Sequence, residues 1–165
     1  QFQWTIEAVA NLKVRLKQSQ QLGTRLETVV TEWGKAQKVK YTKTAQGDKT
    51  VLVLTYAAKQ TDQGKKSVTL WFEQEKDQGY RLTTVDATNL LDAKEKTSSE
   101  KEITTEKEKK GTEFAQLIKQ LGNPQRLVWG EMPDGGMGYR ATYQLPGQPE
   151  VVMEFKKKAK KLVLV

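Results

Sequence analysis

Glu73 and Glu75, in the stretch "SVTLWFEQE", are two carboxylates on which acid–base chemistry could first be tried. The chain of 165 residues has neither His nor Cys. That excludes Ser-His-Asp and Cys-His nucleophile systems, metals held by His or Cys, and any disulfide framework. Carboxylate pairs are then what remains for general acid and base. No acidic pair falls in a motif that would set two carboxyls across a cleft, and Glu73 and Glu75 on a strand read as a solvated face. The sequence therefore points to no catalytic residue, no metal site and no cofactor.

Binding chemistry has more material. "FKKKAKK" places Lys156, Lys157, Lys158, Lys160 and Lys161 around a turn, where they could dock on anionic lipid or an acidic envelope polymer. The same lysines could simply keep a hairpin solvated and guard it against edge-to-edge pairing. "WGEMPDGGMGY", from Trp129, is the longest Gly-rich stretch. Phosphate-cradling loops run into a helix N-terminus, whereas this one leads into the segment around Tyr139, so a hairpin is expected. Asp134 would stand at its tip as an exposed contact, with Trp129 at its start.

The elements that must position these groups come from a repeat. "GTRLETVVTEWGKAQK" at Gly23 and "GTEFAQLIKQLGNPQR" at Gly111 align at an offset of 88, pairing Leu26 with Phe114, Val29 with Leu117, Val30 with Ile118 and Trp33 with Leu121. The i, i+3, i+4, i+7 spacing predicts a helix of about three turns in each copy, with this face buried. Thr24 and Thr112 are the expected N-caps, Glu27 completing a capping box in the first copy. Gly34 and Gly122 are the expected left-handed helix ends, with Pro124 preventing continuation.

Strand-like segments follow each helix in the same order: "LTYAAK" facing "ATYQLP", "SVTLWFEQE" facing "EVVMEFKKK", and "YRLTTV" facing "KKLVLV". Asp-Gln-Gly at 62–64 and 77–79 would close antiparallel hairpins. The expected fold is α+β: two tandem repeats, each helical and followed by an antiparallel meander of about four strands with the helix on one sheet face. The division is 1–92 for the first repeat, 93–110 for a charged linker or loose helix with Ala93 and Ile103 as its apolar residues, and 111–165 for the second. Ile6, Val9, Leu12 and Leu16 predict a further helix over 4–20, anchored by Trp4.

Strand alternation assigns Val68, Leu70 and Phe72, with Val151, Met153 and Phe155, to the core beneath the helices. Trp71 and Thr69 then point to the opposite face, together with Val53, Thr55, Arg140 and Thr142. A Trp and an Arg among small polar residues are the composition of a protein-binding patch, unless the two repeats pack on each other there.

Lys and Arg exceed Asp and Glu by eight. The excess is spread: 14 basic against 10 acidic residues over 1–92, 6 against 5 over 93–110, and 8 against 5 over 111–165. No segment is a dedicated basic arm, which argues against nucleic acid. No apolar run approaches the roughly 18 residues that span a bilayer. The start at Gln1 rather than Met is what is expected of an exported domain whose signal or lipid anchor precedes it.

The Gly-Thr, apolar helix and Gly-x-Pro/Ala-Gln pattern, written twice and each time followed by a meander, resembles the β-lactamase inhibitor protein fold and its relatives among bacterial lipoproteins. More distantly it is similar to the small lipoprotein of the outer-membrane barrel-assembly machine, which has one such unit. The resemblance implies a non-enzymatic, extracytoplasmic protein, secreted or lipid-anchored at the cell surface, whose two units present a sheet face to a protein partner. In the inhibitor-type family a hairpin loop with an Asp-Tyr pair enters the enzyme pocket. The comparable loop here is "TDQGKK", in which Asp62 is followed by Gln63. Inhibitor units also carry disulfides, and the lack of Cys here fits a Gram-positive surface. Three functions are thus expected to compete: a protein-binding module using the sheet face, an inhibitor of a secreted or surface enzyme, and an envelope polyanion binder using the Lys-rich turn.

Overall fold

The computed structural model describes residues 2–58, 66–92 and 98–165. Two short helices, α1 (Ile6–Val9) and α2 (Leu26–Trp33), precede four strands: β1 (Lys38–Lys43), β2 (Thr50–Ala57), β3 (Ser67–Glu75) and β4 (Gly79–Asp86). A single 3₁₀ turn (Thr88–Leu90) follows. Helices α3 (Glu100–Lys107) and α4 (Phe114–Leu121) then precede β5 (Arg126–Glu131), β6 (Met137–Tyr143), β7 (Val151–Lys158) and β8 (Lys161–Leu164). Among the described residues the strands form one eight-stranded antiparallel sheet in sequence order. The α+β architecture with two helix-then-meander halves is therefore present, and the halves join edge to edge.

The repeat is visible in individual bonds. The Tyr56 hydroxyl donates to the Gly34 carbonyl at 2.8 Å, and the Tyr143 hydroxyl to that of Gly122 at 2.8 Å. The Gln37 side-chain oxygen accepts from Ala57 N at 2.8 Å, and that of Gln125 from Gln144 N at 2.7 Å. Gly34 (φ 79°) and Gly122 (φ 86°) end their helices in left-handed conformations that only glycine adopts without a Cβ penalty.

The helix starts differ from expectation. Arg25 and Glu113 are the N-cap residues of α2 and α4, and neither makes a side-chain cap bond. Thr24 and Thr112 lie one residue too early and have other partners: Thr24 Oγ1 accepts from Lys13 N at 3.0 Å, and Thr112 Oγ1 donates to the Lys109 carbonyl at 2.6 Å. The capping box belongs instead to α3, where Ser99 and Glu102 cap each other reciprocally. That helix buries Ile103 and Glu106, so its stretch does more than stay solvated. One Ile is enough to dock it, because burying such a side chain contributes about 1.5–3 kcal/mol. Ser98 adds a bond to the Leu121 carbonyl at 3.0 Å.

Burial of the repeated helix face is unequal. Phe114, Leu117, Ile118 and Leu121 of α4 are all buried, whereas Val29 is the residue of α2 that is buried and Val30 is 42% exposed. Trp33 is occupied by Trp4, with which it stacks at 4.2 Å.

The expected helix over 4–20 is confined to α1, capped by Thr5, whose hydroxyl accepts from Ala8 N at 3.0 Å. Past it the chain is extended, and Leu12, Val14 and Leu16 are buried at alternate positions. Leu12 and Leu16 fit a helical spacing too; Val14 between them decides for period two. This segment turns back through a Leu16–Gln21 bridge and fills a gap in the sheet. The gap exists because β4 and β5 pair only at Val85–Trp129 and Asp86–Val128. Where they diverge, Arg15 N donates to the Leu82 carbonyl of β4 at 3.0 Å, and Lys17 N to Glu131 Oε2 of β5 at 2.9 Å. The N-terminal segment thus completes the seam between the halves.

Candidate functional site: the outer face at the seam

The helices and the core occupy one face of the sheet. Val68, Leu70, Phe72, Met153 and Phe155 are buried there, and Val151 is partly buried against them. Trp71 therefore projects from the opposite, outer face, where it is half-buried. Its cross-strand neighbours are Val53 on β2 and Thr84 on β4, and the next pair along is Thr55 with Thr69. A register shift between Trp71 and Phe72 leaves Thr83 as an extra residue on β4, and its hydroxyl donates to the Trp71 carbonyl at 3.2 Å. Such bulges bend the strand and re-aim the side chains around them.

Trp71 lines a trough of about 740 Å³ that runs from Thr42 and Lys43 of β1 across to Asp86, Arg126 and Val128, with Arg15 and Lys17 beside them. A second hollow of about 590 Å³ adjoins it, shares Arg15, Lys17, Arg126 and Val128, and runs on to Arg140, Thr142 and Val152. The two halves thus contribute to one continuous concavity across the seam. The repeats do not pack face to face over Trp71; they share a sheet, which leaves this face open.

Charge is arranged unevenly along the trough. Arg15 reaches Glu73 at 2.8 Å and Glu75 at 3.5 Å, and Lys49 reaches Glu75 at 3.4 Å. Burial opposes the charge of the Arg15 guanidinium, but the hydrogen bond and attraction from Glu73, with Glu75 behind it, outweigh that and raise its pKa. The Glu73–Glu75 pair is thereby committed to an ion-pair network. Asp86 is likewise occupied, accepting from Thr88 N at 3.0 Å and from the Thr88 hydroxyl at 2.6 Å. Arg126 and the Lys17 ammonium, which line both hollows, have no ion-pair partner among the described residues and leave this shared stretch with unpaired cations. Arg140 lies farther along, 3.4 Å from Glu154.

Trp129 is a correction. It is core, 1% exposed, with its indole N–H donating to the Leu12 carbonyl at 3.1 Å and its ring 4.9 Å from Tyr139. It belongs to β5, so the loop proper is shorter than its glycines suggest, and Trp129 is no contact residue. Asp134 is exposed at the tip as expected, but is paired with Lys156, whose hydrogen bond lowers its pKa. In the Lys-rich turn, Lys157 bonds to Asn11 and Lys161 pairs with Glu113 at 3.1 Å, leaving Lys158 and Lys160 without partners among the described residues. The five lysines therefore do not act as one free cationic patch. Asp62 lies outside the described residues.

Sequence reading missed Arg15, Lys17 and Arg126. Arg126 was accessible, because the 88-residue offset makes it the counterpart of Lys38 and strand parity puts both on the outer face. Arg15 was hidden by the helical reading of 4–20.

No protein-family profile matches the chain, and no curated protein matches it in sequence. Among solved structures, a Streptococcus mutans protein provisionally described as a β-lactamase inhibitor protein is similar over 94% of this chain and 89% of its own, at 17% identity and a TM-score of 0.45.

Proposed function

We propose that this chain is a non-catalytic, extracytoplasmic protein-binding module that uses the outer sheet face at the bacterial cell surface. The observation that carries the reading is Trp71 in a trough also lined by Lys17 and Arg126, two cations without an ion-pair partner among the described residues. Trp and Arg are the residue types most enriched at binding hot spots, and a concave apolar-and-cationic floor suits a protruding acidic loop of a partner protein. Inhibition of a secreted or surface enzyme would be one form of such binding, with the trough seated on an acidic rim. The lysine turn supports a polyanion role less well, because three of its five lysines are already bonded within the protein. Export to the cell surface, in secreted or lipid-anchored form, is part of the same proposal and fits a basic chain without Cys.

The test is a pull-down from bacterial envelope extract with the wild-type protein, Trp71→Ala and Arg126→Glu, each first shown to be folded by circular dichroism. A partner held by the wild type at moderate salt and lost by both variants is the expected outcome. Equal capture by the wild type and Trp71→Ala would overturn the assignment to this face.

A further inference from the structure

The 88-residue offset extends past the helices: Lys38, Val39, Lys40 and Tyr41 of β1 correspond to Arg126, Leu127, Val128 and Trp129 of β5. Matching registers confirm the equivalence, Lys38 standing opposite Thr55 as Arg126 stands opposite Thr142. Yet Leu127 and Trp129 are 0% and 1% exposed, while Val39 and Tyr41 are 54% and 67% exposed.

Trp129 is covered in part by the N-terminal segment, to whose Leu12 carbonyl its indole donates, and in part by a neighbouring strand that β1 lacks among the described residues. The outer edge of β5 is occupied by the end of β4, with Val85 beside Trp129 and Asp86 beside Val128, and the ladder continues as Ala87 N donates to the Leu127 carbonyl at 2.9 Å. The same edge of β1 has no neighbouring strand among the described residues.

We propose that the free edge of β1 is a second binding site, which takes an extended segment of another protein as an added antiparallel strand. The recognised segment alternates apolar residues, packing on Val39 and Tyr41, with acidic residues facing Lys38 and Lys40. The template is internal: Val85 and Asp86 supply this apolar–acidic alternation to β5. Addition of a strand to an exposed sheet edge draws affinity from main-chain hydrogen bonds and specificity from alternate side chains.

Lysines on an edge strand also repel unwanted pairing, but a strand serving only as a guard does not need two large apolar side chains held in water. A second copy of this chain is a poor occupant. Antiparallel β1–β1 pairing in full overlap would set Lys38 against Lys43 at both ends with no acidic residue between them, and β8, "KLVL", carries no acidic residue to take the place of Asp86.

The site can be probed by amide NMR with a short synthetic peptide alternating valine and glutamate, beside a valine–lysine peptide of equal length. With the wild-type protein at low salt, shift changes and slowed amide exchange are expected along Lys38–Tyr41, the part of β1 that does not line the trough, for the glutamate peptide alone, and equally in Trp71→Ala. The doubly reversed variant Lys38→Glu/Lys40→Glu should bind that peptide about tenfold more weakly or worse and gain the lysine peptide. Both lysines are exposed, so the fold should tolerate the change. Failure of the glutamate peptide to bind, perturbations centred on Trp71, Arg126 and Val128 instead of Lys38–Tyr41, unchanged affinity in the reversed variant, or self-association of the wild type through β1 would each overturn the proposal. The failure of the trough reading would leave every one of these readouts unaffected.

Discussion

The hydroxyl of Tyr143 donates to the carbonyl of Gly122 across 2.8 Å, tying the second strand of its meander to the glycine that ends the preceding helix. Tyr56 makes the same bond to Gly34. Each repeat is thus latched at its helix C-terminus, where the last carbonyls have no partner within the helix.

Removing either hydroxyl tests the latch. Tyr143→Phe should cost about 1–1.5 kcal/mol and Tyr56→Phe somewhat less, because the Gly122 bond is the more deeply buried of the two. The sites share no partner, so the double variant should be additive within about 0.5 kcal/mol in urea unfolding.

High pH should act on the same groups. Burial raises the pKa of the Tyr56, Tyr139 and Tyr143 phenols. A phenol whose folded pKa exceeds its unfolded value of about 10 favours the fold fully below that value, and the advantage is lost as pH rises through the folded pKa. Stability should therefore fall from about pH 10 upward. In Tyr143→Phe, urea midpoints measured between pH 9 and 12 should show a shallower decline.

Trp129 and Tyr41 provide a matched pair at equivalent positions. Trp129→Ala should cost about 3–5 kcal/mol, since it opens a cavity and leaves the Leu12 carbonyl without its donor. Cleavage by limited proteolysis should then concentrate in the released N-terminal segment. Tyr41→Ala should change stability by no more than about 0.5 kcal/mol, because its ring is exposed. Similar losses at both positions in thermal melts would contradict the assigned edge.

Gly23 and Gly111 also match in the repeat but are needed for different reasons. A Cβ on Gly23 would stand 1.9 Å from the Leu82 carbonyl oxygen, so Gly23→Ala must displace the N-terminal segment from β4, at a cost of about 3 kcal/mol. Gly111 has open space but a φ of 91°, and Gly111→Ala should cost about 1–2 kcal/mol through backbone strain alone. Equal losses in chemical denaturation would show that the seam is looser than these contacts imply.

Local pattern determined much of this protein. The i, i+3, i+4, i+7 apolar spacing located α2 and α4, the two glycines marked where those helices end, and strand parity assigned Phe72 to the core and Trp71 to the outer face. These features are set within one element, by the period of a helix or a pleat, so they can be read from neighbouring residues. The tertiary structure decided what depends on who stands beside whom. Nothing near Tyr41 or Trp129 in the chain says that β4 covers one and that the other faces water, and nothing near Leu12 says that it runs extended along the seam. The sheet has one row of backbone donors and acceptors to satisfy at each edge, and its halves left a gap that a helix at residues 12–21 could not fill. Arg15 and Lys17 came to the outer trough by closing that gap.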